Sequence, residues 1–370
     1  MRRNRSSIPR SQYDFSTGDN ISPASPLSGR QDYSRNPQEP KIDTCPNGRK
    51  RDTITPPLFP DAQRRVGELE AAMGFPDDIG IIDLGIGFPY TDVEKKKAAY
   101  QFMRPLYKDQ ASLEEMEFPA EYMFKNVPDV VSPDIDPIEW TLLEMDKWGV
   151  QVGMCGMSED GIEAKRRYPD RFMLTMELKN TNDVIGSVRS IKEAKAEHDI
   201  VAVGCFPCGQ FPQVPINDPK MYPVYATCVE EDIPLFMNAG IVGPRMPSYP
   251  QHVEHLDRVC YDFPELTLVT RHGCEPWEKL AMKLMLKWPG LHYCTSAFAP
   301  KHYPEDIVKY ANTRGAEKIL YCGYFPAGIS LERQFTEMRE FNPFKDTVWP
   351  KFLRENAIRV LKLDQKLGLS

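Results

Sequence analysis

The sequence lacks several of the features that would assign it a function at once. No apolar run approaches the roughly 18–20 residues of a membrane span, so no transmembrane helix is expected. It has no excess of positive charge. The formal net charge is −7, against the clustered Lys and Arg that phosphate contacts require, which argues against a nucleic-acid binder. Neither a G-x-G-x-x-G nor a P-loop follows any apolar run, so nucleotide binding by those devices is unsupported. The basic start Met1-Arg2-Arg3-Asn4-Arg5 is followed by no hydrophobic stretch, and a secretory signal is not indicated. The first thirteen residues also lack acids, as a mitochondrial presequence would, but Asp14 and Asp19 break that pattern, and a cytoplasmic protein is expected. Histidine is scarce, with six in 370 residues. The nine cysteines are an odd number scattered over the chain, unlike a secreted disulfide framework, and reduced thiols are expected.

What is present reads as one large α/β domain behind a polar tail. Residues 1–55 are rich in Ser, Arg, Pro, Asn and Asp without a hydrophobic period, the composition of a disordered tail. Through Asp52 this tail carries ten Lys and Arg against six Asp and Glu, a surplus of four that leaves −11 on the remainder. Its Arg49-Lys50-Arg51 patch reads as solvated surface or as a localisation or partner-binding spot. The barrel domain then runs over residues 56–370. A helix is predicted from Asp61 to Met73, with Val66, Leu69 and Met73 on one face.

From there, short apolar runs alternate with helical patterns. The first strand lies in the stretch Ile81-Ile82-Asp83-Leu84-Gly85-Ile86-Gly87-Phe88-Pro89, an apolar run with turn signals at Pro76-Asp77-Asp78 before it and Gly87-Phe88-Pro89 at its end. Seven more are predicted at 150–154, 171–176, 200–204, 233–237, 266–269, 291–295 and 318–322. Helix starts are marked by Asp136-Pro137 with Glu139, by Ser158 and by Asn182. Eight strands alternating with helices imply a parallel sheet with right-handed crossovers, and the number eight favours a closed TIM (β/α)8 barrel. Residues 91–137 interrupt the alternation as an insertion bearing Tyr100, Phe102, Tyr107, Phe118, Tyr122 and Phe124. Long βα connections sit over the mouth of such barrels, so this one is expected as a lid or pocket wall, or as packed aromatics.

Several segments together resemble the amidohydrolase-related proteins, the branch of the amidohydrolase superfamily holding carboxylate decarboxylases and small-ring hydrolases. They are Pro234 to Gly240 (PLFMNAG), Leu268 to Gly273 (LVTRHG), Lys318 to Pro326 (KILYCGYFP) and the ending Glu355 to Leu361 (ENAIRVL). The similarity spans roughly residues 78 to 365. It implies a TIM barrel and a divalent metal, usually zinc, held by a His-x-His pair after strand one, a His after strand five and an Asp after strand eight. A further His often lies near strand six. Such ligands suit zinc, which lowers the pKa of a bound water to around 7. In this chain the pair falls on Gly85 and Gly87, the fifth-strand His on Asn238 and the eighth-strand Asp on Tyr324. Near the sixth strand stand Arg271 and His272. The implied metal site is therefore expected to be absent, with no cofactor. An alternative keeps zinc on replacement ligands such as Glu177, His272 or the cysteines.

The leading expectation is an enzyme that hydrolyses or decarboxylates a small carboxylate-bearing molecule without the usual metal. Arg271 would clamp the carboxylate, or else pair with Glu177 or Asp83 inside the barrel mouth. His272, with Glu275 nearby, would move protons, or serve as a structural hydrogen-bonding group. Asn238 and Tyr324 would stabilise developing charge, or else satisfy local backbone and pack as an aromatic, and Asp83, Glu177 and Glu275 would contact substrate, unless Asp83 ties down a loop. Cys205-x-x-Cys208 reads either as a redox pair or half a zinc site, or as buried apolar thiols. The second expectation is a non-catalytic barrel that binds a ligand or partner. A small molecule is the expected partner, nucleic acid and membrane are not, and a homodimer is left open.

Overall fold

The computed structural model describes residues 74–76, 78–114, 120–123, 134–326 and 328–364. The tail of residues 1–55, its basic patch and the helix expected over 61–73 lie outside the described residues, as do Phe118 and Phe124 of the insertion.

Eight strands form one parallel sheet in sequence order: β1 (Ile81–Asp83), β2 (Val150–Gly156), β3 (Phe172–Glu177), β4 (Ala202–Cys205), β5 (Leu235–Asn238), β6 (Leu268–Arg271), β7 (Leu291–Cys294) and β8 (Ile319–Leu320). The sheet closes between β8 and β1. Leu84 N–H donates to the Tyr321 carbonyl at 3.4 Å and Gly87 N–H to that of Phe325 at 2.7 Å, with Ile86 bridging to Phe325. This is the expected TIM barrel.

The first helices of the described chain, α1 (Val93–Tyr100) and α2 (Gln110–Glu114), belong to the insertion. Then α3 (Pro137–Lys147), α4 (Glu159–Arg167), α5 (Val184–His198), α6 (Tyr222–Glu230), α7 (His255–Asp262), α8 (Glu278–Lys287), α9 (Glu305–Ala311) and α10 (Leu331–Phe341) follow the strands in turn. A π-helical turn (Lys351–Glu355) leads into α11 (Asn356–Leu361). Among the described residues, no helix is long and apolar enough to cross a membrane.

Local chemistry explains the boundaries. Asp136 caps α3 by accepting from Ile138 and Glu139 N–H, with Pro137 in the first turn, and Ser158 caps α4 through Gly161 N–H. The next cap is one residue later than expected. Asp183, not Asn182, accepts from Gly186 N–H to start α5, while Asn182 donates its amide to the Pro212 carbonyl. Strands β4, β5 and β6 likewise begin two residues after their apolar runs do. Ile233 and Leu266 are buried, but their N–H groups close turns onto the Cys228 and Phe263 carbonyls, so they serve the loop rather than the ladder.

The core has two layers. Inside the barrel, Ile82, Val152, Met173, Phe236, Val269 and Leu320 pack with Ala357, Val360 and Leu361 of α11. Outside it, the helices bury their faces on the sheet around Phe172, Leu174, Tyr225 and Trp349. The C-terminal helix closes the amino-terminal end of the barrel. Arg354 donates to the Gly80 carbonyl, Asn356 to those of Ala316 and Ile319, and Arg359 to that of Glu317, all at or just before the strand starts. The opposite, carboxyl-terminal end is left for the site.

Candidate active site

A cavity of about 1180 Å³ opens at that end. Glu177, Asn238, Arg271, His272, Glu275 and Tyr324, all singled out from the sequence, line it together.

Strand register sets the central cluster. Asn238 is the last residue of β5 and pairs across the ladder with Arg271, the last of β6. Arg271 Nε donates to Asn238 Oδ1 at 2.8 Å, and its terminal nitrogens clasp both Glu177 oxygens at 2.5 and 3.1 Å. Glu177, at the end of β3, reaches across Gly204 of β4 to do so. A Cβ at Gly204 would overlap the Glu177 carboxylate, so only glycine leaves that path open. Arg271 therefore does not stand free to clamp a substrate carboxylate. Of its two expected ion-pair partners the structure selects Glu177.

Asp83 does not reach the cavity to contact substrate and instead takes its other expected role, tying down a loop. It is fully buried and does not line the cavity. One oxygen accepts from Gly85 N–H at 2.8 Å and Gly323 N–H at 2.7 Å, tying the ends of β1 and β8 together. Glycine at 323 is needed because a Cβ there would come within 2.5 Å of the other oxygen. Burial raises the Asp83 pKa to about 6, against the opposing pull of those two N–H groups and the Tyr321 hydroxyl.

The turn after β6 carries three successive residues in the left-handed region, His272 at φ 63°, Gly273 at 90° and Cys274 at 61°. Backbone of this kind persists where the surroundings over-determine it. His272 N–H donates to Ser296 Oγ at 3.0 Å, and the same hydroxyl lies 3.3 Å from His272 Nδ1. The imidazole meets the Tyr324 ring edge-on at 5.5 Å. Burial, and then the adjacent Arg271 charge, push the His272 pKa down to about 3, so the ring is neutral near pH 7. A neutral ring held by Ser296 favours the hydrogen-bonding role over that of a general base, which works best with a pKa near the operating pH. Burial raises the Tyr324 phenol and, with Glu278 nearby, the Glu275 carboxyl.

Of the described residues of the insertion, Tyr100, Phe102, Met103, Ala120 and Met123 line the space. The insertion is fastened to the loop after β5. Tyr122 Oη donates to the Gly243 carbonyl at 2.5 Å, and the Arg245 guanidinium sits 4.7 Å from the Tyr122 ring and 3.7 Å from Asp109 Oδ1.

Sequence reasoning missed two cations that also line the cavity. Lys301 follows β7 and Arg333 begins α10, both at the cavity. Arg333 Nε donates to Glu337 Oε1 at 2.8 Å, and Lys301 Nζ lies 3.5 Å from the same oxygen. The available signal was their place in the connections after the last two strands, where barrel enzymes often bind anions.

The positions implied for a metal do not make a donor set. Gly85 and Gly87 offer no side chain, and a Cβ at Gly85 would come within 2.7 Å of Cys322 Sγ and 3.0 Å of the Gly323 carbonyl. Asn238 Oδ1 and the Glu177 carboxylate are already bound to a guanidinium. Among the described residues no group of three or more His, Cys, Asp or Glu could hold a metal. The alternative zinc set is not assembled either. Cys155, Cys205, Cys208, Cys274 and Cys322 are buried free thiols outside the cavity lining, and burial raises the pKa of Cys205 well above its ordinary value and that of Cys208 to about 12. Cys205 and Cys208 are thus buried thiols rather than a redox pair.

A family model described as amidohydrolase matches residues 112–363. Among solved structures, an uncharacterized TIM-barrel protein from Bordetella bronchiseptica aligns at 23% identity and a TM-score of 0.55, covering 76% of this chain and 98% of that one. A 5-carboxyvanillate decarboxylase from Novosphingobium aromaticivorans, with bound manganese, aligns at 14% identity and a TM-score of 0.55, covering 78% and 99%. A 2,6-dihydroxybenzoate decarboxylase from Rhizobium aligns at 14% identity and a TM-score of 0.53, covering 77% and 99%. At these identities the likeness is one of fold. No curated protein sequence matches the chain.

Proposed function

Because the chain belongs to the amidohydrolase family, we propose that it is an enzyme that hydrolyses or decarboxylates a small carboxylate-bearing organic molecule, with the Arg271 guanidinium serving as the fixed cation of the site in place of a divalent metal. One observation carries this reading. Arg271 is held by Glu177 and Asn238 at the ends of β3, β5 and β6, inside the cavity that His272 and Tyr324 also line.

In this arrangement Arg271 binds no substrate bidentately. Its charge, oriented by Glu177 and Asn238, stabilises negative charge that develops on a bound molecule, an effect strongest where water is excluded. His272, neutral and steadied through Nδ1 by Ser296, presents Nε2 as a hydrogen-bonding group to an oxyanion, and the protonated Tyr324 phenol adds a second donor. In decarboxylation the carbon–carbon bond breaks, its electron pair stays on the substrate carbon, and Glu275 or Tyr324 supplies the proton. In hydrolysis Glu275, its pKa raised, takes the proton of the attacking water.

A second reading, a ligand-binding barrel without catalysis, is favoured by one specific observation. Arg271 and His272 are both engaged by protein groups. One experiment separates the two. Untagged protein is incubated with aromatic and aliphatic carboxylates and lactones, and carbon dioxide release and hydrolysis are followed by mass spectrometry. Turnover that falls at least about 100-fold in Tyr324→Phe or His272→Asn supports the enzyme, given the usual weight of an oxyanion donor. Binding without turnover supports the second reading.

A further inference from the structure

The cavity wall carries exposed apolar side chains in one part and two cations in another. On the side of the insertion and the loop after β5, Phe102, Met123 and Ile241 are 54%, 56% and 52% exposed although each lines the cavity. Large apolar side chains uncovered together inside a concavity mark a surface that a ligand covers. On the side of β7 and β8, Lys301 and Arg333 share one buried acid, Glu337, whose pKa is lowered by Arg333, by Lys301 N–H and by both charges despite its burial. Two cations on one carboxylate leave a surplus positive charge. Arg333 spends Nε on Glu337, and its terminal nitrogens make no other hydrogen bond among the described residues. Arg271, by contrast, has the Glu177 carboxylate to itself, one acid to one cation.

Size adds a further constraint. The volume of about 1180 Å³ exceeds the roughly 300–1,000 Å³ common for small-molecule sites. A single-ring acid seated on Lys301 and Arg333 would leave most of the apolar wall uncovered.

We propose that the cavity takes an amphipathic acid with an apolar body of two rings or more, or a chain of equivalent length. The acid group rests on Lys301 and Arg333, and the body lies along Phe102, Met123 and Ile241. This substrate class rests on the reading of the cavity as the functional site.

Titration calorimetry on the full chain tests it, with naphthalene-2-acetate, phenylacetate, naphthalene-2-acetamide and inorganic phosphate as probes. The naphthyl acid is expected to bind about tenfold or more tightly than either the phenyl acid or the neutral amide, since each buried CH2-sized group and each charge-assisted hydrogen bond contributes on that scale. Arg333→Gln should weaken the acid about tenfold and leave the amide unchanged, which also reports that the variant is folded. Equal binding of acid and amide, a variant that weakens both alike, or phosphate binding as tightly as the naphthyl acid would overturn the proposal. The two readings fail separately. Naphthyl-acid binding with no turnover of any carboxylate or lactone in the series keeps this inference and sinks catalysis. Turnover of single-ring acids with no gain from the second ring does the reverse.

Discussion

Arg271 and Glu177 face each other through two parallel hydrogen bonds, 2.5 and 3.1 Å long, between residues 94 positions apart in the chain. Arg271 is only 16% exposed and Glu177 is 46% exposed, so one partner is sheltered and the other borders the open cavity. That asymmetry sets the expected energetics. Breaking a fully buried pair costs roughly 3–5 kcal/mol, and exposed pairs give at most about 1. A double-mutant cycle with Arg271→Met and Glu177→Gln is expected to give a coupling of about 1–3 kcal/mol in urea unfolding. Arg271→Lys should recover less than half of it, because an ammonium lacks the planar fork. A coupling within error of zero would remove the pair from the account.

Gly204 tests the same relationship from its neighbour. Adding one methyl at this buried position displaces the Glu177 carboxylate. Gly204→Ala is expected to destabilise by about 1–3 kcal/mol, the range for overpacking. With Glu177→Ala in the background the clash vanishes, and most of that loss should vanish too. Equal losses in both backgrounds would place the strain elsewhere.

The barrel itself was legible because each strand is a short apolar run between turn signals, a pattern that survives without knowledge of tertiary contacts. Its edges were less so. Ile233 and Leu266 look like strand residues and are buried like them, yet they hydrogen-bond backward into the preceding turn. At the candidate site, residue types at the strand ends picked out neighbours: six of the seven singled-out residues line one cavity, and Asp83 turned inward to hold Gly85 and Gly323. What the sequence leaves open is pairing. That Arg271 meets Glu177 depends on β3, β5 and β6 ending at one level and on Gly204 leaving a path between them. The role of Lys301 and Arg333 depends on a shared Glu337 on the next turn of α10.

Arg245 holds the insertion wall through Tyr122 and Asp109. Both contacts are near the surface and are worth about 1 kcal/mol or less each. Arg245→Ala is therefore expected to leave global stability within about 1 kcal/mol of the parent while weakening naphthalene-2-acetate about three- to tenfold as the wall loosens. Unchanged affinity would show that the wall needs no fastening.

Asp83 sets a pH dependence of stability. Its folded-state pKa of about 6 is raised above the ordinary value, so the folded state holds its proton more tightly than the unfolded chain does. The stabilising contribution is present below pH ~4 and is lost as pH rises through about 6. His272 runs the other way. Its pKa of about 3 favours the neutral ring, a contribution present above pH ~6.5 and lost as pH falls toward 3. Asp83→Asn mimics the protonated acid. Relative to the parent it should gain up to about 3 kcal/mol between pH 4 and pH 7.5, measured by urea unfolding across that range. A difference that is flat with pH would show that the carboxyl is not shifted.

Metal content tests the proposal that the Arg271 guanidinium occupies the place of a catalytic metal ion. Purified, untagged full-length protein is dialysed briefly against chelator and measured by elemental mass spectrometry, with its unfolding curve recorded before and after. Far less than one equivalent of any divalent transition metal per chain, and an unfolding curve that does not move, are expected. About one equivalent of zinc or manganese retained per chain, or a loss of stability on chelation, would contradict the proposal, since a bound structural metal contributes directly to folding.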